Sequence, residues 1–184
     1  MRKPMICAAV LCLAAALAMA GEFAGVKMPD SETVDGKTLK LNGMGLRKKM
    51  IFKVYVAGLY LESPSRDAAA VLAATEIKSI RLHILRNLKG SKITEAIADG
   101  FELNSASQMG ALKGRLEELG KLIPDVQEGD VIDLTWVPDA GTKVKVRGTE
   151  RGTIEGRDFA DALFAVWLGP NPVQDDLKKA LLGG

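Results

Sequence analysis

Apolar and polar positions along the chain predict strands first, then helices, a hairpin, and helices again. Residues 38–42 read as a short strand with Leu39 and Leu41 on one face. Gly43-Met44-Gly45 follows, a segment that permits unusual backbone angles or close approach. The strongest strand is 50–61, β-branched and aromatic with both faces largely apolar, so it is expected to be central and covered on both sides. Gly58 within it predicts a bulge or a close contact. Lys53 and Tyr55, two apart, fall on one face. Residues 77–85 alternate cleanly, with Ile80, Leu82 and Ile84 on one face and Arg81, His83 and Leu85 on the other.

Helical spacing takes over between these strands. Residues 65–74 predict a short helix, and 92–103 carry Ile93, Ala96, Ile97 and Phe101 on one stripe. Ser105 is expected to open the next helix, with Gln108 completing a capping box, and its stripe is Met109, Leu112, Leu116 and Leu119. Gly120 and Pro124 bracket its end. Residues 130–137 and 142–148 read as an antiparallel hairpin joined by Pro138-Asp139-Ala140-Gly141, which 149–155 extend as a third strand. Residues 158–168 form a helix that turns Phe159, Ala162, Leu163, Val166 and Trp167 inward. In the last helix Asn171 is the expected cap, Pro172 the first helical residue, Gln174 the capping-box partner and Gly183 the stop. The order gives an α+β fold: an antiparallel sheet with its helices packed mainly to one side.

The first twenty residues stand apart from this pattern. Arg2 and Lys3 precede an apolar run, and Ala18-Met19-Ala20 is a small-x-small cleavage site, so 1–20 are expected to be a secretory signal peptide cut after Ala20. The run is short for a bilayer span. Cys7 follows Ile6 and Cys12 follows Leu11, which does not fit a lipid anchor. Both cysteines lie in this leader, so residues 21–184, read as one domain, have neither thiol catalysis nor a cysteine metal site. The expected location is the periplasm or the exterior, with no integral membrane segment after cleavage.

Without Arg2 and Lys3 the basic residues number 23 against 23 acidic, and the two signs are interspersed. No nucleic-acid footprint and no polybasic tether follow from such a distribution. Arg47-Lys48-Lys49 reads as a solvated turn. The one histidine, His83, is a mid-strand packing residue with no ligand-spaced neighbour, and neither a nucleophile elbow nor a P-loop is present, so no metal and no cofactor are expected. Asp175-Asp176 and Glu117-Glu118 point apart on their helices and make no acid/base dyad. What remains is Arg47 and Tyr55 beside an apolar strand. One reading is a structural Arg at a strand turn and a buried Tyr. The other is a site for a ligand with a carboxylate head and a hydrocarbon tail.

The stretch Leu41-Asn42-Gly43-Met44-Gly45-Leu46-Arg47, leading into Lys53-Val54-Tyr55-Val56-Ala57-Gly58-Leu59-Tyr60-Leu61-Glu62, resembles the signature of chalcone isomerase-like domains. Phe164-Ala165-Val166-Trp167-Leu168-Gly169, with Pro172 and Leu181-Leu182-Gly183, resembles the ending of the family's bacterial secreted branch. The resemblance covers nearly all of the chain after the leader. It implies an open-faced β-sandwich, a large antiparallel sheet with a layer of helices and a ligand cleft between them. The isomerases of the family cyclise a chalcone to a flavanone with an Arg, a strand Thr, a helix Tyr and Asn, and a late Ser or Thr. Matched to this chain, the Arg falls at Arg47 and the Thr at Tyr55. The Tyr falls near Ile93, the Asn near Gly100 and the late hydroxyl near Val166. A cleft lined by Ile93, Gly100 and Val166 lacks the hydrogen bonds the isomerase gives a polyphenol. Arg47 with Tyr55 is more similar to the fatty-acid-binding branch, where an Arg–Tyr pair holds a carboxylate. The resemblance thus implies a non-catalytic periplasmic protein that binds a small amphipathic ligand such as a fatty acid. The alternatives are an isomerase or lyase of the family's type, and a structural or partner-binding domain without a small ligand.

Overall fold

The computed structural model describes residues 21–184, so the leader expected over 1–20 lies outside the described residues. The chain begins with a small antiparallel hairpin, β1 (Gly21–Phe23) and β2 (Val26–Met28). Seven further strands make one antiparallel sheet in sequence order. They are β3 (Ser31–Val34), β4 (Lys37–Lys49), β5 (Phe52–Leu61), β6 (Lys78–Ile84), β7 (Val131–Val137), β8 (Gly141–Val146) and β9 (Thr149–Ile154). Between β5 and β6 lies the short helix α1 (Ala68–Ala73). Helices α2 (Gly90–Ser105) and α3 (Met109–Leu122) connect β6 to β7. Helices α4 (Arg157–Leu168) and α5 (Asp175–Leu181) close the chain. This is the α+β architecture expected, an antiparallel sheet with a helical layer on one face.

Strand alternation sorts the side chains onto two faces of the sheet. Ala57, Leu59, Ile80, Leu82, Ile132, Leu134 and Val144 bury themselves under the helices. Each of the valines, leucines and isoleucines among them contributes about 1.5–3 kcal/mol by leaving water. Helix α4 lies at the centre of that layer, with α1, α2, α3 and α5 all packed against it. It is apolar nearly all round, as a helix with neighbours on every side must be. On the opposite face Val26 and Met28 pack against Val56, and Tyr60 donates a hydrogen bond to the Pro29 carbonyl at 2.8 Å. Arg81 is held there between Glu32 (2.8 Å) and Asp133 (2.6 Å). Strand β5 is therefore internal and covered on both sides, as its composition predicts. Gly58 marks a close contact: a Cβ added there would sit 2.6 Å from the Met28 sulfur.

Several local expectations are corrected. The strand expected over 38–42 runs on through both glycines to Lys49. Of the two roles expected for Gly43 and Gly45, close approach is the one found: they let α5 lie against the strand, and a Cβ on Gly45 would be 2.7 Å from Leu177. Ser105 caps nothing with its side chain: a 3₁₀ turn, Ala106–Gln108, intervenes, and α3 starts at Met109. Asn171 and Pro172 precede α5 without starting it, because the helix begins only at Asp175. The side chain of Gln174 is spent elsewhere. Lys53 and Tyr55 do not share a face in the simple way period two implies, because the β4–β5 register skips Val54. A second bulge, at Asn42, separates the Leu41–Tyr60 pair from the Gly43–Leu59 pair. The connection between β4 and β5 is the two residues Met50 and Ile51, and Met50 has φ 56°.

Candidate functional site

The two bulges decide what the β4–β5 hairpin offers to the helical layer. At Asn42 the extra residue reverses the alternation of β4, so Leu39 packs on the outer face while Gly43 and Gly45 lie under α5. Asn42 holds this bulge with its amide, which donates to the carbonyls of Ser65 (2.9 Å) and Leu181 (2.8 Å) and accepts from the Ser65 N–H at 2.8 Å. Two residues past Gly45, on the same face, stands Arg47. Its cross-strand partner is Tyr55.

Arg47 is half-buried. Its Nη1 donates to the Lys48 carbonyl and, at 3.3 Å, to Oε1 of Gln174. The same Gln174 oxygen accepts from the Lys48 N–H at 2.9 Å, and its amide nitrogen donates to the Leu46 carbonyl at 3.1 Å. Gln174 thus clamps the segment before α5 onto β4 and orients the guanidinium. Among the described residues no carboxylate lies within 4.0 Å of Arg47, so its charge is unpaired and most of its five donors are unspent.

Tyr55 is held from the helical side. The indole Nε1 of Trp167 on α4 donates to its hydroxyl at 3.0 Å. That bond leaves the hydroxyl proton free, and it has no acceptor among the described residues. Burial pushes the phenol up to about 12, against smaller opposing effects of the Trp167 bond and the Arg47 charge. Tyr55 is therefore a neutral hydrogen-bond donor at any physiological pH, beside a permanent cation.

Both residues line a cavity of about 670 Å³ between the sheet and helices α2 and α4. The size falls within the range of about 300–1,000 Å³ usual for small-molecule sites. Ile93 and Gly100 from α2 and Val166 from α4 also line it, so the structure brings all five residues singled out from the sequence to one wall-to-wall space. Leu82, Leu88, Ile97 and Val173 make much of the rest. Gly100 is needed for the approach of the helices, since a Cβ there would come within 2.8 Å of Val166. At the mouth stand Lys49, Arg86 and Lys92, with Glu95 and Asp99 on α2. Lys92 and Glu95 pair at 2.6 Å.

Sequence reasoning missed two members of this site. Trp167 reads as a core residue, and it is one, but its single polar atom sets the Tyr55 hydroxyl. Gln174 reads as a capping residue and instead positions Arg47. His83, half-exposed between Val56 and Val131 in the sheet, lies away from the cavity. No group of three or more His, Cys, Asp or Glu among the described residues is placed to hold a metal ion.

The arrangement is a largely apolar chamber with a cation and a neutral donor at one end, and it sits where the family resemblance puts a ligand cleft. Among solved structures, the crystal structure of an Arabidopsis thaliana fatty-acid binding protein is similar to this chain with a TM-score of 0.69. It is 18% identical in sequence, and the match covers 89% of this chain and 96% of that one. At that identity the likeness speaks for the fold. No curated protein matches the sequence. The family model described as chalcone isomerase-like matches residues 20–183, the whole of the sheet and its helical layer, and the chain belongs to the chalcone isomerase-like family.

Proposed function

We propose that this protein is a non-catalytic binding protein for an amphiphile with an anionic head, of which a long-chain fatty acid is the simplest example, and that it works in the periplasm or outside the cell. The observation that carries the reading is the unpaired guanidinium of Arg47 at one end of an otherwise largely apolar cavity, cross-strand from Tyr55, whose hydroxyl proton is unspent. A carboxylate accepts from both at once, with the charge-assisted bonds coming from Arg47. The hydrocarbon tail then lies along Ile93, Ile97 and Val166. The Arabidopsis fatty-acid binding protein of similar fold supports this choice of ligand class. Against an isomerase stand the same apolar residues, which leave a polyphenol's hydroxyls without partners. The raised pKa of Tyr55 also leaves no phenolate to act as a base.

Titration with a fluorescent long-chain fatty acid tests the reading. Removing the cation leaves the bound carboxylate unpaired in an apolar site, which costs about 2–5 kcal/mol. Arg47→Gln is therefore expected to weaken binding by roughly thirtyfold or more. Tyr55→Phe, which removes one neutral hydrogen bond, weakens it less. Equal affinity in wild type and Arg47→Gln removes the anchor role. Absence of binding in the wild type overturns the proposal in favour of a partner-binding domain.

A further inference from the structure

The tip of the β4–β5 hairpin stands outside the buried core. Met50 is 88% exposed, Ile51 86% and Phe52 50%. Leu103, which also borders the cavity, is 62% exposed. Isolated apolar residues on a surface are ordinary; three in succession at a turn that opens onto an apolar cavity are not. The turn itself argues the point. Met50 adopts φ 56°, where glycine or asparagine is at ease, so a bulky apolar residue occupies a position whose geometry favours a small polar one.

Charge surrounds this tip. Lys48 and Lys53 face each other across the hairpin, Lys49 pairs with Phe52, and all three lysines are exposed. The Arg86 guanidinium lies 4.6 Å over the Phe52 ring. On the α2 side of the mouth the acids are Glu95 and Asp99, and Glu95 is neutralised by Lys92. An apolar point within a collar of cations matches an anionic bilayer: the point enters the interface and the collar meets the phosphates.

We infer that the hairpin tip docks on an anionic lipid bilayer, with Met50, Ile51 and Phe52 inserted and Lys48, Lys53 and Arg86 on the headgroups. The cavity then opens toward the membrane. The inference rests on the amphiphile-binding reading and deepens it, because it makes the bilayer the place where ligand enters or leaves. Among the described residues no helix is long and apolar enough to cross a membrane.

The test is co-sedimentation of the protein with phosphatidylcholine vesicles, with and without phosphatidylglycerol, at low and high salt. The full chain is expressed and its product purified, so wild type and variants share one N-terminus and its contribution cancels. Ile51 and Lys53 do not line the cavity and give the clean variants. Wild type should sediment with phosphatidylglycerol vesicles and be released by salt. Ile51→Ser should lower the partition by roughly fivefold. Lys53→Glu should lower it by roughly tenfold. Both should bind fluorescent fatty acid in vesicle-free solution as the wild type does. Wild type that binds fatty acid yet ignores the vesicles overturns the docking and leaves the binding reading intact. So does vesicle association unchanged in both variants. Vesicle association by a protein that binds no fatty acid sinks the ligand reading and supports the docking. A dimer in sedimentation velocity that Ile51→Ser dissociates, with no vesicle binding, makes a second copy of this chain the occupant and overturns the proposal.

Discussion

Lys78 lies on the helix-facing side of β6 and is almost wholly buried. Its amine donates to the carbonyls of Val71 (3.0 Å), Leu72 (3.0 Å) and Ala74 (3.4 Å) at the end of α1, and stands 3.9 Å from Asp161. Burial pushes its pKa down from 10.5 to about 8, with Asp161 opposing and Arg157 adding to the shift. Between those values the unfolded chain binds a proton that the folded chain has released, so this residue makes stability rise with pH. Tyr55 and Tyr60 act with the opposite sign. Burial lifts both from 10.0 to about 12, so above pH 10 the folded chain keeps protons the unfolded chain loses, and stability falls. Urea denaturation across the alkaline range should therefore show the wild type gaining stability relative to Lys78→Met from pH 8 toward 10.5. A constant difference between the two proteins would mean the amine is not desolvated. Arg47 and Tyr55 are legible in the sequence because a charged and a phenolic residue stand out on an apolar strand. The partners that hold them are not. Trp167 and Gln174 lie more than a hundred residues away, and each satisfies a local pattern that hides its second use.

At the scale of the element, α4 is the piece on which both packing and site depend. Its stripe of Phe159, Leu163 and Trp167 is buried as the spacing predicts. Phe159 meets the ring of Phe101 on α2 at 5.5 Å, and Trp167 reaches the cavity. Trp167→Ala should cost about 3–5 kcal/mol, read from urea denaturation. Loss of only a few tenths would mean the helix end is peripheral. Trp167→Phe keeps most of the volume but releases the Tyr55 hydroxyl, and should weaken fatty-acid binding more than it weakens the fold. The helices are readable from their 3.6-residue period, and the β7–β8 hairpin from its two apolar strands and the turn between them. Helix starts were not. Ser105 and Asn171 have the right side chains for capping, but the chain enters each helix through a turn that aims those side chains elsewhere; Asn171 donates to the Leu103 carbonyl. The bulges were equally hidden, because an extra residue leaves no mark on an apolar strand until its partner strand sets the register.

For the molecule as a whole, alternation and helical spacing carry the layer architecture, and the family signature carries its closure into one sheet. Neither carries the cavity. Its existence depends on how far α2 stands from the strands, which is set by the bulk of many side chains rather than by any one. Residues 1–20 belong to this scale as well. Their composition makes export the expected fate, and the proposed periplasmic role requires it. N-terminal sequencing of the protein recovered from the exported fraction should begin near Gly21, where β1 starts. A product that retains Met1 in the cell interior would overturn the location.

The clamp between Gln174 and Arg47 joins positions 127 residues apart, and the Asn42 amide reaches the Leu181 carbonyl across 139. The polar end of the cavity therefore depends on residues that follow every strand of the sheet in sequence. A folding chain can pair its strands one after another, since each neighbour in the sheet is the next in sequence. It has no oriented guanidinium until Gln174 reaches β4. A head-group site of the kind proposed is therefore complete only once α5 has packed onto β4, so pairing of the strands and maturation of the site are separate events.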